Sequence, residues 1–333
     1  MTSTAIIVLG MHRSGTSALA GVLSYLGVAL GENLLTAESG INERGFWEHV
    51  EVLEIHEALL GVLGSRWHDI LPLPERWWKI KQVEPFRHRL AQLVGRDFSS
   101  VPIWAVKDPR MCRLAPLWLE ALDEVGIRPL FIHIHRDPHE VARSLERRDE
   151  MAEAKGLFLW LDHNLWAERW SRGYKRVFIS YPNLLDEPRA TIERIGSALE
   201  LTWPRSVDEV MKDVESFLTP QLRHHVTENS SADKAFGPDN TLVAGTLSAL
   251  DNAVAGEDEQ ACANFASLFV QFNERVMSFD PVLLGHIRDI ERHRAHLEWR
   301  LELAAKSFSM RITRPLRTAM QTVRHIAGKR NAE

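Results

Sequence analysis

Ala5-Ile-Ile-Val-Leu9, Gly10-Met-His-Arg-Ser-Gly-Thr-Ser17 and Ala18–Leu26 follow one another without interruption. The first is a short continuous apolar run, suited to a strand buried on both faces. The second is a Gly/Ser/Thr-rich turn, and the third has the apolar spacing of a helix. A strand that feeds a helix through such a turn offers successive backbone N–H groups and a helix N-terminus to an anion. Arg13-Ser-Gly-Thr-Ser17 holds more donors than a turn alone requires.

The same alternation recurs downstream. Val101–Val106, Pro129–His135 and Arg176–Ser180 read as strands, and helices are expected from about Pro138 to Glu150 and Pro188 to Leu199. Residues 50–66 place Val52, Ile55, Leu59, Leu60 and Leu63 on one helical face. Strands alternating with helices imply an α/β, P-loop-like three-layer fold, its central parallel sheet flanked by helices. Residues 1–225 form the expected core. Residues 226–260, rich in Asn, Ser, Asp and Gly, read as a flexible loop or lid with at most a short helix. Residues 261–305 read as a C-terminal helical extension. A loose heptad there runs through Ile287, Ile290, Leu297, Leu301 and Ala304, with Arg294 interrupting it, as in a short coiled coil or docking helix.

Composition narrows the classes further. The chain has 333 residues, 45% of them hydrophobic and 26% charged, which excludes a disordered or collagen-like polymer. Two cysteines, Cys112 and Cys262, build neither a disulfide framework nor a four-cysteine zinc site, and they favour a reducing compartment. No signal peptide or membrane span is expected. The net charge of −5 conceals an asymmetry. Residues 306–330 carry seven Lys or Arg and no acid, so the remainder carries −12. Met310, Ile312, Leu316, Met320, Val323 and Ile326 among those cations make residues 306–333 a basic amphipathic tail, the kind of segment that binds anionic lipid surfaces. The acidic remainder offers no wider basic face for nucleic acid. The expected location is cytoplasmic, with peripheral contact at the inner face of the membrane through residues 306–330.

Gly10–Ser17 resembles the Walker A pattern GxxxxGK[ST], but Thr16 stands at the lysine position. That lysine normally bridges the β- and γ-phosphates, so its loss argues against an ATP-using P-loop kinase. Arg13-Ser-Gly-Thr-Ser17 instead resembles the 5′-phosphosulfate loop of sulfotransferases, whose donor is 3′-phosphoadenosine 5′-phosphosulfate (PAPS). His135-Arg-Asp-Pro-His-Glu-Val-Ala-Arg-Ser144 resembles the family's 3′-phosphate motif, in which an Arg at a strand end is followed eight residues later by a Ser. Arg136 can grip a phosphate bidentately and Ser144 can donate to the same group. Ile179-Ser-Tyr-Pro-Asn-Leu-Leu-Asp-Glu-Pro188 is similar to a third family element and implies Tyr181 near the adenine. The resemblance therefore implies donor contacts from Arg13, Ser14, Gly15, Thr16, Ser17, Arg136, Ser144 and Tyr181, and no metal.

For acceptor chemistry, Lys107-Asp-Pro-Arg110 resembles the family's Lys-Thr/Ser-His/Pro element, where the Lys contacts the transferring group. Pro109 stands where the cytosolic small-molecule branch has a catalytic His. Asn42-Glu-Arg-Gly-Phe-Trp-Glu48-His49 is similar to an element of bacterial members and implies Glu48 as general base, with His49 and Asp108 as alternatives. Arg13 and Lys107 then stabilise the transferring group. Trp47, Trp67, Trp77 and Trp78, among 11 tryptophans, fall where a sugar would bind, although indoles suit ordinary cores equally well. Arg223 or His224 is placed to close over the donor. Phe308-Ser-Met-Arg-Ile-Thr-Arg-Pro-Leu-Arg317 resembles the tails of bacterial surface-glycan enzymes. A glycan or glycolipid hydroxyl is the expected acceptor. The alternatives are an ATP-dependent kinase and a non-catalytic nucleotide-binding scaffold of a glycan-assembly complex.

Overall fold

The computed structural model describes residues 3–36, 45–218, 239–256 and 258–306. Four strands form one wholly parallel sheet: β1 (Thr4–Leu9), β2 (Ile103–Lys107), β3 (Leu130–His135) and β4 (Arg176–Ser180), in the order β2-β1-β3-β4. Register is set centrally by β1, where Ile7 pairs with Val106 on one side and Phe131 on the other. The pleat divides β1 between two cores. Ile6 and Val8 pack with α1 (Thr16–Tyr25), α8 (Pro188–Leu199) and α9 (Val207–Phe217). Ala5, Ile7 and Leu9 pack with α2 (Val50–Val62), α3 (Glu84–Asp97) and α4 (Met111–Glu124). This is the three-layer α/β arrangement that the alternating pattern implied.

The connections place the site. After β1 the chain passes through α1, α2 and α3 to β2 on one flank. After β3 it passes through α5 (Pro138–Asp149) and α6 (Glu153–Ser171) to β4 on the other. The order therefore reverses between β1 and β3, and ligands of open parallel sheets bind in the crevice that such a reversal opens at the carboxyl ends. The Gly10–Ser17 loop leaves β1 there, and Arg136 leaves β3 there.

Residues 239–255 correct the expectation of a loop over 226–260, for they form α10 (Asp239–Ala255). Its Asn, Ser and Asp residues mask an apolar stripe: Leu242, Val243, Thr246, Ala249, Leu250 and Ala253 are buried at helical spacing, and the helix packs on β4 and α6. Residues 219–238 and 257 lie outside the described residues. The stretch of α11 (Asp258–Met277) from Phe265 to Val276 is also part of the core, not of a separate extension. Phe265 stacks on Phe178 and Phe269 meets Trp166 edge-on. The chain divides into two compact units, residues 1–276 and 277–333. The second contains α12 (Pro281–Lys306), which begins six residues before the first seam residue of the expected heptad. The basic tail from residue 307 lies outside the described residues. Among the described residues no helix is long and apolar enough to cross a membrane.

Candidate active site

Backbone geometry builds the anion cradle first. Ser14 N–H donates to Met11 O at 3.1 Å, closing a tight turn, and Arg13 (φ 68°) and Gly15 (φ 91°) take left-handed conformations. Gly15 is required twice over. Its φ disfavours any other residue, and an added Cβ would sit 2.1 Å from Tyr181 Cδ2. Gly10 has a different reason, since a Cβ there would meet Ile134 O at 2.5 Å. The Gly10 N–H is held by Cys112 Sγ at 3.2 Å, and burial pushes that thiol up to about 12, so it is inert packing. Helix α1 starts at Thr16 with its first N–H groups turned to the crevice, as every helix start leaves them. The Ser14 hydroxyl is fully buried with no hydrogen-bond partner among the described residues.

The two donor motifs, 131 residues apart, meet in space. Arg13 Nε donates to Ser144 Oγ at 2.8 Å, and Arg136 Nη1 reaches the Arg13 carbonyl at 3.5 Å. Arg136 is fixed from three sides. Its Nε donates to Glu140 Oε2 at 2.6 Å, its carbonyl accepts from Trp160 Nε1 at 3.0 Å, and its guanidinium lies 5.1 Å from the Tyr181 ring centroid. Burial first, then the neighbouring Arg148 and Arg136, lower the Arg13 pKa. Cations crowded in this way are relieved by a bound anion. Tyr181 is only 5% exposed, packed under Gly15 and beside Arg136. There it backs the loop.

On the β2 side, Lys107 donates to three acceptors: Glu48 Oε1 at 2.6 Å, Phe46 O at 3.0 Å and Ser17 Oγ at 3.1 Å. An ammonium group has three protons, so all three are engaged. The pair is buried, with side chains 2% and 9% exposed. Ser17 in turn donates to Phe46 O at 3.3 Å, tying the loop to the segment that carries Glu48. Trp47, between Phe46 and Glu48, has φ 57°. A non-glycine residue rarely holds that conformation, and the indole lies edge-on to Phe217. A groove of about 370 Å³, lined by Tyr25, Trp47, Asp213, Ser216 and Phe217, begins there.

The alternative bases are paired as Glu48 is. Asp108 Oδ1 accepts from the Arg110 backbone N–H and guanidinium at 2.8 and 3.0 Å, and Oδ2 accepts from His56 Nδ1 at 3.0 Å. Trp118 Nε1 donates to His56 Nε2 at 2.8 Å, which fixes the Nδ1–H tautomer of His56 when neutral. Burial opposes charge on Asp108, but Arg110 and His56 outweigh it and hold the carboxyl far below the usual range. His49 turns to Asp97 on α3 at 3.2 Å. Of the four tryptophans considered, Trp77 lies in the core, edge-on to Trp78, which packs on Trp170. Trp67 is sandwiched between His12 (4.3 Å) and Arg148 (5.4 Å). Asn42, Arg44, Arg223 and His224 lie outside the described residues. Among the described residues no group of three or more His, Cys, Asp or Glu is arranged to hold a metal ion.

Three residues escaped the sequence reading. Glu140 is a buried counter-charge one helical turn beyond Arg136, and the i, i+4 spacing was the available signal. Arg113 sits inside α4 yet donates to the carbonyls of Arg66, Asp69 and Leu71, pinning the loop that carries Trp67. Arg148 lies one turn beyond Ser144 on α5 and joins the cation cluster.

A search of curated protein sequences returns no match. The sulfotransferase domain from the Synechococcus PCC 7002 olefin synthase is 19% identical, with TM-score 0.44, covering 74% of this chain and 95% of that one. The sulfotransferase domain from the curacin biosynthetic pathway is 14% identical, with TM-score 0.37, covering 74% and 98%. The family described as the sulfotransferase family matches residues 5–205, more than half of the sequence, and the chain belongs to that family.

Proposed function

We propose that this enzyme transfers a sulfuryl group from PAPS to a hydroxyl of a bacterial cell-surface glycan or glycolipid. The observation that carries the reading is the meeting of Arg13, Ser144 and Arg136 at the switch point of the sheet. The residues suit a nucleotide bearing two separate anionic groups. Gly15 lets the loop take its left-handed turn against Tyr181, Ser14 holds a buried hydroxyl with no partner among the described residues, and cations come from two motifs. When bound, PAPS supplies the sulfuryl group and a phosphate leaving group.

The chain's own groups divide the remaining work. Arg13 and the first N–H groups of α1 neutralise the 5′ side, while Arg136 and Ser144 hold the 3′-phosphate. Lys107 releases one of its three present acceptors to reach the transferring group. The Glu48 carboxylate takes the proton of the acceptor hydroxyl as the acceptor oxygen bonds to sulfur and the leaving phosphate departs. Trp47 starts an aromatic groove one residue from Glu48, and indole and phenyl faces suit the C–H faces of a sugar ring. The family's general use of PAPS supports the donor assignment.

The test is radiolabelled-sulfate transfer from PAPS to fractionated cell-envelope glycans, with binding of 3′,5′-ADP (PAP) and ATP compared side by side. Label in a glycan fraction with preference for PAP supports the reading. ATP preference favours the kinase alternative, and PAP binding with no transfer to any fraction favours the scaffold.

A further inference from the structure

The second compact unit holds a 26-residue helix, α12, along which several apolar residues are exposed. Ile290 is 54% exposed, Leu297 53% and Leu301 69%. In register these belong to a seven-residue repeat. Ile287, Arg294 and Leu301 fall at one core position (a), while Leu283, Ile290, Leu297 and Ala304 fall at the other (d). The repeat spans three heptads with a single polar interruption, which is the sequence form of a two-stranded coiled-coil seam. A soluble helix does not leave such a stripe in water without cost, because apolar surface favours burial.

The flanking charges select the partner. Positions that precede the seam (g) hold His286, His293 and Arg300, and positions that follow it (e) hold Leu284, Glu291, Glu298 and Ala305. In a parallel pair each g residue faces the e residue five positions on in the other helix. A second copy of this chain therefore sets His286 against Glu291 and His293 against Glu298, twice each by symmetry. In an antiparallel pair g faces g and e faces e, so basic residues would oppose basic ones and Glu would oppose Glu. Arg294 penalises slipped registers by meeting Ile287 or Leu301. In register it lies beside its own copy, with a stem long enough to carry the charged head to the edge of the seam.

We propose that α12 is a dimerisation element: the occupant of its apolar stripe is the α12 of a second copy, parallel and in register. Trp299 and Leu303, 56% and 49% exposed, lie off this seam, so they stay outside the pair and serve as controls.

The experiment measures the mass of the full chain by sedimentation equilibrium across a dilution series. The expected result is twice the 38.0 kDa chain mass at high concentration, falling toward one chain on dilution. Leu297→Asp should give single-chain mass throughout with the circular dichroism melt of the core retained. Trp299→Ala should behave as the wild type. A chain carrying Glu291→Lys and Glu298→Lys should fail to self-associate, as should one carrying His286→Glu and His293→Glu, and an equimolar mixture of the two should recover the dimer. Single-chain mass of the wild type at all concentrations, a trimer or larger, or a dimer unaffected by Leu297→Asp would each overturn the proposal.

Discussion

Lys107 Nζ lies 2.6 Å from Glu48 Oε1, in a buried pair at the carboxyl end of β2. The proposed base and the proposed sulfuryl-binding cation are thus each other's partners before any ligand arrives. The pairing offsets the cost of burying either group alone. It also explains why Phe46 and Ser17 join the cluster, since each satisfies one further proton of the ammonium group.

Removing one member should expose that dependence. Glu48→Ala leaves a buried ammonium group without its counter-charge and should cost about 3–5 kcal/mol of stability. Glu48→Gln keeps an acceptor for Lys107 and should cost less. Urea unfolding of the two variants measures the difference. Equal midpoints would show that the ion pair contributes little to the fold.

Gly15→Ala should damage the loop whatever the acceptor. The substitution places a methyl group against the Tyr181 ring and forces a left-handed alanine, which alone costs about 1–2 kcal/mol. Pairing it with Tyr181→Ala should relieve the collision and leave the conformational cost. Calorimetric titration with PAP should show binding lost in the single variant and partly regained in the double.

Ser144→Ala should weaken PAP by roughly 0.5–1.5 kcal/mol, several-fold, while leaving 5′-AMP nearly unchanged. The contrast isolates the 3′-phosphate. Arg136→Ala is a harsher change, because Glu140 is 1% exposed and loses its counter-charge, so it should destabilise the protein as well. Equal loss for PAP and 5′-AMP in the serine variant would place Ser144 elsewhere.

Acidification should weaken the fold through its buried neutral imidazoles. Burial, with Arg113 second, lowers His163 to about 3, and burial also depresses His12 and His133. A depressed folded pKa means that the unfolded chain binds more protons below about pH 6.5. Stability is therefore present at neutral pH and falls as pH drops, by up to about 1.4 kcal/mol per pH unit for each such histidine. Urea midpoints at pH 7 and pH 5, compared with a His163→Asn variant, should show a shallower loss in the variant.

Local signals exposed the sheet because its strands are short, apolar and individually bounded. Arg176–Ser180 and the helix Pro188–Leu199 were legible to the residue. Helix α6 was not, because Gly156–Leu165 is buried on every side and shows no one-sided stripe. Helix α4 carries Pro116 within it, a residue that ordinarily argues against a helix interior. Helix α10 hid its stripe among Asn, Ser and Asp. At the site, the motifs pointed to Arg13 on one segment and to Arg136 and Ser144 on another. That Arg13 would touch Ser144, or that Glu48 would choose Lys107, depends on tertiary approach, which no local pattern encodes. Tyr181 shows the same limit: its motif was visible, while its packing beneath Gly15 was not.

In the proposed reaction Glu48 accepts the proton of the acceptor hydroxyl. The most direct measurement is the rate of radiolabelled-sulfate transfer from PAPS to an active envelope-glycan fraction by wild type and Glu48→Gln, with PAP affinity determined for both. A fall of about 10²–10⁴-fold in turnover with PAP affinity retained is predicted. Near-full turnover by the variant would contradict the account.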